Sequence, residues 1–63
     1  MNDRWSEVQD VLDVLRAEGV TLVRLNRMNA RDVSILYYDK HGKYPCEGDC
    51  LAAMSQLRTE LGR

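Results

Sequence analysis

The sequence predicts an α+β fold, a helix followed by a β-hairpin and a second helix, with the helices packed on one face of a small antiparallel sheet. Three observations predict it. An amphipathic stretch opens the chain, two runs of β-branched and aliphatic residues occupy its middle, and a second apolar stripe at helical spacing closes it. The 63 residues are read as one domain, 1–63, of a size at which a hydrophobic core alone is marginal.

In the first segment Trp5, Val8, Val11, Leu12 and Leu15 fall on one arc of a 3.6-residue helix, with Glu7, Asp10 and Asp13 on the other side. Ser6 followed by Gln9 has the spacing of a capping box. Gly19 is placed to terminate the helix in the left-handed region. Val14 projects from the acidic side and is read as an exposed contact residue.

Val20–Arg27 and Val33–Lys40 are rich in residues that favour strands. A three-residue loop, Met28-Asn29-Ala30, joins them, with Asn29 in the left-handed region. The register that keeps the faces distinct pairs Leu25 with Val33, Val23 with Ile35 and Thr21 with Tyr37. On the opposite face it pairs Leu22 with Leu36 and Val20 with Tyr38. Such a ribbon is apolar on both faces, and two short helices cover only one. Its uncovered face, with Val20, Leu22, Leu36 and Tyr38, is either a partner surface or covered by the C-terminal turn or Trp5. Arg27 and Arg31 face each other at the hairpin tip, where like charges repel.

Asp39–Lys43 is read as a turn that uses Gly42 for positive φ. Tyr44-Pro45 is extended because proline disfavours helix in its predecessor, and Tyr44–Cys46 can form a short edge strand. Asp49 is the expected N-cap of the last helix. Cys50, Met54, Leu57 and Leu61 make the stripe of that helix, with Ala53 beside it, and Gly62 ends it.

Net charge is −1, yet residues 1–18 carry −3, residues 19–45 carry +3 and the remainder carries −1. An acidic first helix thus precedes a basic middle, which leaves an anionic partner open. The composition, 44% hydrophobic and 30% charged, is ordinary for a globular protein. No run approaches the roughly 18 apolar residues of a membrane span, and no signal peptide is expected. A cytoplasmic protein fits, and a core this light is expected to lean on a second copy or a partner.

The chemistry-bearing residues are few. His41, Cys46 and Cys50 are zinc-ligand types, but a closed site needs four ligands, with Asp49 or Glu47 as the fourth. The paired C-x2-C spacing is absent, so no metal and no cofactor are assigned. No nucleophile, base and acid are grouped locally, and the four glycines do not form a phosphate cradle. Catalysis is therefore not expected.

Arg24, Arg27, Arg31, Lys40, His41 and Lys43 occupy the middle of the chain with Tyr37, Tyr38 and Tyr44 interspersed, a pattern suited to phosphate contact and base stacking. The expected element order resembles that of double-stranded-RNA-binding domains. The run Ala52–Leu61 is similar to the Ala-rich end of their last helix, although Gly48-Asp49-Cys50 stands where those domains place a lysine pair. In length and expected topology the chain also resembles the small HicA-type RNA-cleaving toxins, with Met28-Asn29-Ala30 where their catalytic turn would be. No family is assigned from either likeness.

The functional expectation is a small non-catalytic protein-binding module, an inhibitor, adaptor or regulator of the kind phages and mobile elements encode. It would act through the hairpin, with Val14, Leu22, Leu36 and Tyr38 as apolar contacts and Arg24, Arg27 and Arg31 as polar anchors. A protein partner or a homodimer is expected. The alternative is an RNA- or DNA-binding module that uses the same basic hairpin.

Overall fold

The computed structural model describes residues 3–63, with side chains described from Ser6 onward. It contains four helices: α1 (Asp3–Ala17), α2 (Leu22–Arg27), α3 (Ala30–His41) and α4 (Glu47–Leu61). There is no strand among the described residues. The expected α+β class is therefore overturned. The two stretches read as strands, Val20–Arg27 and Val33–Lys40, form α2 and α3, and Tyr44–Cys46 is an extended connection rather than an edge strand.

Local chemistry explains the outcome. Thr21 caps α2, its side-chain oxygen accepting from the Arg24 amide at 3.2 Å. Asn29 caps α3 through a reciprocal box. Its Oδ1 accepts from the Asp32 amide at 3.0 Å, and the Asp32 carboxylate accepts from the Asn29 amide at 3.2 Å. Asn29 is thus extended at φ −118° rather than left-handed. Met28-Asn29 is a corner between two helices, not the tip of a hairpin. The predicted strand register disappears with it, and Arg27 and Arg31 no longer oppose each other on a ladder. They lie in the last turn of α2 and the first turn of α3.

Gly19 ends a helix as expected, whereas Gly42, expected within a turn Asp39–Lys43 after a strand, ends a helix too, because α3 continues through His41. Gly42 closes α3 at φ 73°, its amide donating to the Tyr38 carbonyl. Gly19 follows α1 at φ 65°. The Gly19 amide donates to the Arg16 carbonyl and the Val20 amide to that of Leu15, the paired bonds of a Schellman motif. Leu15 and Val20 both enter the core, which is the apolar contact that accompanies this motif.

Other expected boundaries shift. Ser6 lies inside α1, so the Ser6–Gln9 pattern does not mark its start. The side chain of Trp5, placed on the α1 stripe by periodicity, lies outside the described residues. Cys46, not Asp49, takes the N-cap position of α4. Asp49 sits instead in the first helical turn, where the helix dipole favours a carboxylate, and is buried.

The core forms where α1 packs on α4 and α3, α3 packs on α4, and α2 covers a further part of α4. Val8, Val11, Leu12 and Leu15 meet Cys50, Ala53, Met54 and Leu57, with Val33 and Tyr37 entering from α3 and Leu25 from α2. Because α1 touches two neighbours, it buries a wider arc than a single stripe. That is why Val14, expected to be exposed, is 5% exposed and part of the core. Leu61, read as part of the α4 stripe, is the last residue of α4 and is exposed. The Arg16 guanidinium binds the Glu60 carboxylate, joining α1 to the last turns of α4. No helix among the described residues is long and apolar enough to cross a membrane.

Candidate functional site

A helix with a buried inner face has an outer one, and on α3 the outer face is not polar. Val33 and Tyr37 point into the core, while Ile35 stands on the opposite side, 53% exposed. Tyr38 shares the outer half of the helix and stacks on Tyr44, with ring centroids 4.5 Å apart. Tyr44 is carried there by the connection after Gly42 and is 66% exposed. Pro45, which follows it, is buried and anchors that connection.

Ile35 is a ridge between two shallow grooves. One, about 520 Å³, is lined by Ala30, Arg31, Ser34, Ile35, Tyr44 and Glu47. The other, about 330 Å³, is lined by Arg24, Met28, Asp32, Ile35 and Leu36. Isolated apolar residues on a surface are ordinary, but a contiguous patch rimmed by charges is a feature of interaction sites. Among the described residues, Arg24, Arg27 and Arg31 take part in no ion pair. Arg24 and Arg31 hold their charges beside the apolar ridge.

The expected contact residues are redistributed by the helical fold. Tyr38, Arg24 and Arg31 lie on or beside the ridge. Leu36 is half-buried on its flank, Leu22 is half-buried on α2, and Val14 is in the core. Arg27 is exposed at the end of α2 but lines neither groove. Ile35 and Tyr44, the most prominent side chains of the face, are missing from the expected set. In the strand register Ile35 belonged with Val33 and Tyr37 on the covered face, so nothing singled it out.

The cluster His41, Cys46 and Cys50 is not brought together. His41 stacks on Tyr37 with centroids 4.2 Å apart. Cys50 is fully buried and its Sγ lies 3.5 Å from Ser34 Oγ. Cys46 is exposed, and its thiol lies with the Glu7 and Asp49 carboxylates, ligand atoms within 4.8 Å of one another. Both cysteines are free.

Burial pushes the Cys50 thiol above its ordinary value, the Ser34 contact opposing this and Asp49 adding to it. A raised pKa and a closed environment make a thiol inert. A thiol-directed alkylating agent at neutral pH is therefore expected to modify Cys46 readily in the folded chain. Cys50 should react only on unfolding, which peptide mass mapping over time would show. Equal rates at the two positions would contradict the packing of α3 on α4.

Fold and surface together define, over the described residues, a small four-helix domain whose third helix presents an aliphatic and aromatic ridge flanked by the exposed Arg24 and Arg31. Compared with known proteins, the chain matches no family model, no curated protein and no solved structure. The element order behind the likeness to double-stranded-RNA-binding domains and to HicA-type toxins depended on strands and lapses with them, leaving only the helical Ala52–Leu61 run of α4.

Proposed function

We propose that this chain is a small non-catalytic protein-binding module, an inhibitor, adaptor or regulator that works through the outer face of α3. The observation that carries this reading is the contiguity of Ile35, Tyr44 and Tyr38, three exposed side chains joined by a shared groove and a ring stack. Tyrosine and arginine are the residues on which protein interfaces concentrate binding energy, because each combines apolar area with a polar end. Arg24 and Arg31 flank the ridge in that role. Two free thiols are compatible with a reducing compartment, and the reading takes the module as cytoplasmic.

The test compares immobilised wild-type chain with the double variant Ile35→Asp/Tyr44→Ser, both exposed positions whose change leaves the core intact. From a nuclease-treated lysate of the source cells, the wild-type chain should retain a protein that the variant does not. Identical capture by the two would contradict the assignment. Species lost on nuclease treatment alone would instead identify a nucleic-acid tether through the arginines, with steep salt dependence.

A further inference from the structure

The charges along the α3 ridge are arranged in a way that local helix chemistry does not favour. Arg31 lies in the first turn of α3 and Asp39 near its end. A helix macrodipole prefers the reverse, acid at the start and base at the end, as Asp32, Lys40 and His41 in the same helix provide. Both Arg31 and Asp39 are exposed, and among the described residues neither takes part in an ion pair. Each is a small cost to the helix that solvent meets in the free chain, and both charges stand open to an opposite charge brought by a partner.

The two charges are also symmetric. Arg31, Ile35 and Asp39 follow at intervals of four along one ridge, with the exposed Ile35 at the centre. If a second α3 is laid antiparallel on the first about a two-fold axis through Ile35, each Arg31 meets the Asp39 of the other copy. The two Ile35 side chains meet on the axis. Opposite charges at equal spacing about an apolar centre are what an isologous contact requires, whereas an unrelated partner needs no such symmetry. A two-fold axis also makes each ion pair count twice.

We propose that the occupant of this face is a second copy of the chain, forming an antiparallel α3–α3 dimer centred on Ile35. The proposal rests on the reading of the α3 face as the docking surface and deepens it by naming the partner. Tyr38 and the Tyr44 groove flank the axis and extend the apolar contact.

Sedimentation equilibrium of the full chain, from about 1 to about 500 µM, tests it. The wild type should be dimeric within that range. Arg31→Asp and Asp39→Arg should each weaken association at least about tenfold by placing like charges across the axis, and the double swap should restore most of it. Each replacement agrees with the helix dipole, so α3 is not weakened by the change itself. Ile35→Cys in a Cys46→Ser background should cross-link to its own copy on mild oxidation, because a residue on a two-fold axis faces itself.

A chain that stays monomeric throughout overturns the dimer. The docking face then survives only if Ile35→Asp/Tyr44→Ser still abolishes capture of a different protein. A dimer unaffected by Ile35→Asp overturns the α3–α3 pairing, because the copies then meet elsewhere, and the docking face is decided by the capture test alone. Single swaps that weaken the dimer without rescue by the double swap overturn the antiparallel pairing.

Discussion

Tyr37→Ala is expected to unfold most of the chain at 25 °C. Tyr37 is 1% exposed and, among the described residues, is the largest fully buried side chain. Truncating a buried aromatic residue to alanine costs about 3–5 kcal/mol, from lost transfer free energy and the cavity left behind. At roughly 0.05–0.15 kcal/mol per residue, a chain of 63 residues has only about 3–9 kcal/mol in total. The loss also removes the stacking partner of His41. Tyr38→Ala is the control. It removes a ring of similar size one position along, but from the solvent side, and its cost should stay within about 1.5 kcal/mol, the worth of its stack on Tyr44. Thermal melts by circular dichroism would compare the two. Similar losses at both positions would mean that α3 does not turn Tyr37 inward and Tyr38 outward.

Leu25→Ala should cost about 2–5 kcal/mol, and Val23→Ala should be neutral or slightly stabilising. In α2 Leu25 is fully buried while Val23 is 67% exposed. At an exposed helical position alanine is the better helix former by some tenths of a kcal/mol, because valine loses side-chain freedom against the preceding turn. In a strand the two residues would share a face, and both substitutions would be destabilising. The sign of the Val23 effect therefore separates the two secondary structures. Urea denaturation of both variants measures it.

The misread middle of the chain has a specific cause. Thr21, Val23 and Leu25, and again Val33, Ile35 and Tyr37, alternate at a spacing of two and include the β-branched residues that strands favour. The same residues also satisfy a helical period, through Leu22 and Leu25, and through Ala30, Val33 and Tyr37. Short apolar runs support both periods, and packing then decides. The arbitrating features were polar: Thr21 three residues before Arg24, and the pair Asn29 and Asp32 at capping-box spacing. Asn29 was read for its tolerance of positive φ rather than for its ability to cap a helix.

The outer elements were more legible. The stripe on α1 and that on α4 each had one helical reading, and Gly19 and Gly42 supply the left-handed turns their positions imply. Val14 was misplaced because a single amphipathic stripe does not reveal that a helix will pack against two neighbours. For the surface, the composition was legible and its arrangement was not. An apolar, tyrosine-bearing middle flanked by arginines was visible in the sequence. Which of those residues face out depended on the period, and the change from two to 3.6 exchanged Leu36 for Ile35 as the centre of the exposed face.

The helical state of Leu22–Arg27 and Ala30–His41 sends Val33 and Tyr37 to one side of the chain and Ile35 to the other. Backbone ¹³C chemical shifts of the labelled chain test this most directly. Consecutive helical shifts across Leu22–Arg27 and Ala30–His41, broken at Met28 and Asn29, are the predicted result. Strand-like shifts across Val33–Lys40 would contradict the fold and the docking face built on it.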